Sequence, residues 1–92
     1  MKVYGIEYNS ADGMQCTHID LYADRNAACA VAQARAEESA AVMNDNADPQ
    51  ERYEVQIVGN AYHVVSIDAD DGAPNGFIVV TWTVRTFNLY GV

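Results

Sequence analysis

The stretch DRNAACAVAQARAEESAAVM, residues 24–43, decides the fold. It contains neither Gly nor Pro and is dominated by Ala, the strongest helix former. Asp24 stands at its head, where a carboxylate can accept from the free backbone N–H groups of a first helical turn. A helix is therefore predicted from Arg25 to about Met43. At 100° per residue, Ala27, Ala30, Val31, Ala34, Ala41 and Val42 fall on one arc of about 120°, the face expected to meet a sheet. Glu38 intrudes near the end of that arc. Asn44-Asp45-Asn46-Ala47-Asp48-Pro49 then stops the helix in a polar loop.

On either side of this helix the sequence reads as strand. Residues 2–9 set Tyr4, Ile6 and Tyr8 against Val3, Gly5 and Glu7, the period-2 pattern of a half-buried strand. Asp12-Gly13 supplies a hairpin turn. Residues 15–23 alternate again, with Thr17, Ile19 and Leu21 expected to face the core and Cys16, His18, Asp20 and Tyr22 to face away. After the helix, Tyr53, Val55 and Ile57 alternate with Glu54 and Gln56, and Gly59-Asn60 forms a tight turn. Residues 61–69 follow, with Val65 and Ile67 assigned to the core face and Tyr62, Val64, Ser66 and Asp68 to the other. A turn cluster at Asp70-Asp71-Gly72-Ala73-Pro74-Asn75-Gly76 leads into a last strand over 77–89, with Ile78, Val80, Trp82 and Val84 inward. The order ββαβββ defines a single α+β domain over 1–92, an antiparallel sheet with one Ala-rich helix on one face. The second face is open or covered by a partner.

Ninety-two residues support one domain with a thin core. That leaves little room for an enclosed pocket of about 300 Å³ or more. The N-terminus enters a strand directly and has no apolar leader. No apolar run approaches the length of a membrane span. A cytoplasmic protein is expected, with Cys16 and Cys29 as free thiols.

The search for chemistry yields little. Cys16, His18 and Asp20 are the residue types of a nucleophile, base and orienter. On one strand, however, side chains at i and i+2 project in parallel about 6.5–7 Å apart, and a nucleophile and base need contact at about 3 Å. His18, His63, Cys16 and Cys29 lack zinc-site spacing. His63 is expected on or near the helix-facing side as a hydrogen-bonded, half-buried residue. Asp68-Ala69-Asp70-Asp71-Gly72 misses the calcium-loop pattern, with Gly72 at position 5 and Val79 at position 12. No phosphate-binding loop is present. The sequence thus argues against an enzyme, and no metal or cofactor is expected.

Charge is the remaining feature. Thirteen acidic residues face five basic ones, for a net charge of −8. Such a chain is repelled by nucleic acid and by anionic membranes and attracted to basic proteins. If the strand parities hold, Glu7, Asp20, Glu54 and Asp68 share the open face with Tyr22 and Tyr62, and Asp70 and Asp71 extend it. Only Arg85 offsets the charge there. These eight carboxylates and tyrosines are the candidate partner-binding residues, with charge steering the encounter and aromatics anchoring it. The alternative is that they are ordinary solvated positions that keep the protein soluble.

The hairpin over 2–23, the helix that begins Asp24-Arg25-Asn26-Ala27-Ala28 and the loop Asp68-Ala69-Asp70-Asp71 together resemble small acidic phage and mobile-element inhibitors of the anti-CRISPR type. The likeness is one of architecture and transfers no residue. It implies a protein in the host cytoplasm that occupies the nucleic-acid channel of a basic host complex, its carboxylates standing in for phosphates. A second reading is a self-associating assembly module, a homodimer formed through a sheet edge or the open face; strand 77–89 is long, and Phe77 and Phe87 on it point away from the core.

Overall fold

The computed structural model describes residues 2–10, 13, 15–17, 21–70, 72 and 74–88, without the side chains of 15–17 and 74–77. The chain forms β1 (Lys2–Ser10), β2 (Gln15–Thr17), α1 (Arg25–Asp45), β3 (Glu51–Val58), β4 (Ala61–Asp68) and β5 (Pro74–Asn88). This is the expected ββαβββ order. The five strands make one antiparallel sheet in the order β2-β1-β5-β4-β3. The last three strands form a meander, and β1 joins it by pairing with β5. β5 therefore lies in the middle of the sheet. Its 15 residues span about 50 Å at the usual rise, nearly the whole 53 Å length of the molecule.

The helix starts where its cap is. Asp24 is extended (φ −113°, ψ 125°) and its carboxylate accepts from the Asn26 N–H at 2.9 Å. At the other end, the Asn44 side chain donates to the Tyr53 carbonyl at 3.0 Å and accepts from the Tyr53 N–H at 2.8 Å. That pair of bonds ties the last turn to the beginning of β3.

The face that α1 buries differs from the expected arc. Ala28, Ala32, Ala36 and Ala40 are buried, flanked by half-buried Cys29, Val31 and Met43. Ala27, Ala30, Ala34, Ala41 and Val42 face solvent, and of the expected arc only Val31 packs inward. Alanine surrounds this helix, so its own apolar pattern barely distinguishes one face from another. A row of small side chains at i, i+4 lets the backbone come close to the large residues of the sheet, which choose the contact. Ile6, Tyr62, Val64, Val80 and Val84 fill the layer beneath it. Full burial of each Val or Ile there contributes about 1.5–3 kcal/mol.

Strand pairing corrects three face assignments. The two-residue turn at Gly59-Asn60 pairs Val55 with Val64 and Ile57 with Tyr62, and paired residues share a face. With Tyr53 and Val55 packed on the helix side, Tyr62, Val64 and Ser66 are on that side too, not on the open face. Val65 and Ile67 are buried outside the cluster under the helix, so β4 is covered on both faces over 64–67. Beyond β2, at Leu21 and Tyr22, the parity is also reversed. Tyr22 exchanges two backbone bonds of 2.8 Å with Tyr4 and packs toward the helix, whereas Leu21 is exposed. In β5, Val64 pairs with Val80 but Val65 pairs with Ile78, which leaves Val79 as an additional residue. Such a bulge shifts the alternation. Val79 packs against the core and Ile78 turns outward.

Gly5 is required by a close approach. A Cβ placed there would lie 2.9 Å from the Phe87 ring, which covers the glycine from the diagonal position on β5. Phe87 thus points away from the helix, as expected, while the Phe77 side chain is outside the described set.

Candidate interaction surface

The helix-free face of the sheet carries Glu7, Asn9, Glu54, Gln56, His63, Thr81, Thr83, Arg52 and Arg85, brought together by the pairings of β1, β5, β4 and β3. Its two described carboxylates are both matched by arginine. Arg85 donates to Glu7 at 3.2 Å, and Arg52 donates to Glu54 at 2.9 Å. Arg52 is the cation overlooked by the sequence reading, which credited only Arg85 with offsetting charge there. His63 lies on this face, not on the helix side; its Nδ1 is 2.8 Å from the Thr81 hydroxyl. Among the described residues this face is electrically balanced and rich in uncharged polar groups.

The eight candidate residues therefore do not converge. Glu7 and Glu54 lie on the open face but beside arginines. Tyr22 and Tyr62 pack under the helix. Burial, followed by a hydrogen bond to Cys29, raises the Tyr62 phenol above its ordinary 10.0. Asp68 shares the parity of Val64 and Ser66 and ends β4 on the helix side. Asp70 follows it, its N–H donating to the Asp68 carboxylate at 2.8 Å. Asp20 and Asp71 lie outside the described residues, as does His18. The Cys16 backbone is described in β2, its side chain is not.

A different acidic surface is assembled at one end of the molecule. Asp45 is the last residue of α1, and Asp48 follows in the loop, where its carbonyl accepts from the Glu51 N–H at 2.9 Å. Glu51 pairs across the sheet with Asp68, and the Ala69 N–H bonds back to the Gln50 carbonyl at 3.0 Å. Asp45, Asp48, Glu51, Asp68 and Asp70 are thereby collected around the helix C-terminus and the adjoining ends of β3 and β4. Lys2 and Arg85 sit toward the opposite end of the sheet, and Arg25 bonds to Asn60 in the distant β3–β4 turn. Arg52, the nearest arginine, is engaged by Glu54.

The helix adds its own field. A helix C-terminus carries about half a negative charge, so acidic residues there are unfavourable by about 0.3–1 kcal/mol each. The last turn of α1 has no basic residue, and Asp45 closes it. The same negative environment acts on Tyr53. Its phenol is raised above 10.0 by burial first, then by the Glu51 carboxylate and more weakly by Asp48. No group of three or more ligating side chains among the described residues is close enough to hold a metal ion. Asp45, Asp48 and Glu51 are outside the eight residues proposed from the sequence; the two-residue turn at 59–60 sets the pairing of Glu51 with Asp68 and could have exposed it.

One groove opens along the flank of α1, lined by Arg35, Glu38, Ser39, Val42, Met43 and Trp82, with a volume of about 330 Å³. The groove is open to solvent and is not an enclosed pocket of the kind a thin core leaves little room for. α1 lies close to the sheet along its alanine row, and the longer side chains on its flank stand off from Trp82. The Trp82 ring is 4.6 Å from that of Tyr8, at 50°, and the Arg35 guanidinium carbon lies 5.8 Å from its centroid. Arg35 Nε and Trp82 Nε1 are buried without an acceptor, an omission that costs about 1–3 kcal/mol per group.

Among the described residues, fold and surface together define an α+β domain of five strands and one helix, with an acidic end and a groove on the helix flank that holds Arg35 beside Glu38. No family model matches the chain, and no curated protein or solved structure is significantly similar to it. No described helix is long and apolar enough to cross a membrane.

Proposed function

We propose that this chain is an acidic protein-binding inhibitor, of the kind phages direct against nucleic-acid-handling host complexes. It would bind a Lys/Arg-lined surface through the end that carries Asp45, Asp48, Glu51, Asp68 and Asp70. The observation supporting this reading is Asp45 and Asp48 at a helix C-terminus beside Glu51. Asp45 and Asp48 work against the helix dipole, and the carboxylates repel one another, although Glu51 also accepts from the buried Ser66 hydroxyl at 3.1 Å. Concentrated charge at one end steers a basic partner into one orientation. The open face, balanced by Arg52 and Arg85, is given no part in the contact.

The test is affinity capture from a lysate of the host cell at low and high salt, with the wild type beside an Asp45→Lys, Asp48→Lys, Glu51→Lys, Asp70→Lys variant. The expected result is a basic partner that releases at high salt, loses its own nucleic-acid binding in the complex, and is retained more than tenfold less by the variant. Equal retention of that partner by both proteins rejects the acidic end as the contact.

A second reading, self-association, is favoured by one feature of β3. Its outer edge has no neighbouring strand among the described residues, and Ile57 and Val58 on it are 54% and 63% exposed. In β5, residues 80–83 are paired on both sides, by β1 and β4, which leaves less free strand edge there than β3 offers. A β3-to-β3 dimer remains. Sedimentation at micromolar concentration decides: a dimer abolished by Val58→Lys supports it, and a strict monomer removes it.

A further inference from the structure

We infer that the groove between α1 and Trp82 binds a small apolar carboxylic acid, held by the Arg35 guanidinium. In a chain with thirteen acidic residues, Arg35 has no carboxylate partner among the described residues. Its one recorded contact is the face of Trp82. Lys2 aside, the other cationic side chains are engaged: Arg25 by Asn60, Arg52 by Glu54 and Arg85 by Glu7. Arg35 is moreover half-buried, and its Nε lacks an acceptor, as does the adjoining Trp82 Nε1. Both nitrogens are donors closed off from solvent, so the site is short of acceptors, and a groove ligand would supply one to the outer Nη groups of the guanidinium. A carboxylate meets a guanidinium with two parallel bonds, the strongest match for that geometry.

The rest of the lining specifies the body of the ligand. Val42, Met43 and the Trp82 ring are apolar, and the volume of about 330 Å³ lies at the small end of ligand sites. Inorganic anions would leave those surfaces uncovered. Stacking of Arg35 on Trp82 restricts the guanidinium before a ligand arrives, which lowers the entropic cost of binding. Glu38, exposed on the rim, repels the carboxylate and limits affinity. This site is separate from the acidic end and does not depend on the role proposed for it.

Trp82 is the single tryptophan of the chain, so its indole N–H gives one assignable NMR signal at the site. Titration of the wild-type protein with 3-phenylpropanoate should shift that signal saturably. The alcohol 3-phenylpropanol, of the same shape without the charge, should bind at least tenfold more weakly. Arg35→Gln should bring the acid down to the affinity of the alcohol, and Glu38→Gln should tighten it. Absence of a saturable shift with millimolar acid overturns the inference. So does equal affinity for acid and alcohol, a comparison that needs no variant and therefore survives any effect of Arg35→Gln on folding.

Discussion

Replacing Ala32 by Leu tests which way the helix faces. Ala32 is fully buried against the sheet in the middle of the Ala28, Ala32, Ala36, Ala40 row. A leucine there must push α1 away from Tyr62, Val64 and Val80 or leave its preferred rotamer. Overpacking of this kind costs about 1–3 kcal/mol. In a domain of this size that lowers Tm by roughly 4–24 °C. Ala34→Leu is the matched control. Ala34 belongs to the arc that the helical wheel assigns to the core, yet it is exposed, so the change should stay within about 0.5 kcal/mol. Both substitutions leave helix propensity nearly unchanged, so the difference between them isolates packing. Urea denaturation followed by circular dichroism and by Trp82 fluorescence measures both variants. Equal stabilities, or a less stable Ala34→Leu protein, would refute the buried row and restore the other face.

Two further outcomes follow from the caps and the core. Asp24→Ala removes the acceptor of the Asn26 N–H and should destabilise the protein by about 1 kcal/mol, while Asp24→Asn should recover most of the loss in the same urea experiment. Tyr62, whose phenol is raised by burial, stays protonated in the folded chain at a pH where the unfolded chain has begun to ionise. The unfolded state then binds fewer protons, so stability is at its full value below pH 10.0 and falls as pH rises through the folded value. Tyr62→Phe should flatten that alkaline decline in a pH series of urea midpoints; an unchanged decline would assign it to another group, such as Tyr53.

Much of the fold is legible in local chemistry. Asp24 marks the helix start, Asn44 to Pro49 mark its end, and Gly59-Asn60 marks a hairpin, because each depends on a few neighbouring residues. The face assignments failed where they required comparison between strands. On β4 the wrong parity put Tyr62 and Asp68 beside Glu54, although the turn at 59–60 already pairs Val55 with Val64. On β5 a bulge at Val79 reverses the alternation, and a β-branched run carries no mark of it. The acidic surface was sought on a face where Arg52 and Arg85 cancel it. It assembles instead from Asp45, Asp48, Glu51, Asp68 and Asp70, at the adjoining ends of three elements and in the loops beside them.

The sequence by itself determined the elements, their order and the acidity, since helix propensity, period-2 alternation, turn residues and charge are local or additive properties. Tertiary structure decided three things. It chose Ala28, Ala32, Ala36 and Ala40 as the buried row, because an alanine-rich helix offers several nearly equal faces and the large side chains of the sheet select one. It placed β5 at the centre by pairing it with β1, which leaves β3 as an outer strand of the described sheet. And it separated Arg25 and Arg85 from Asp45, Asp48 and Glu51, because the positions of charges depend on which chain ends meet, a property of the whole fold.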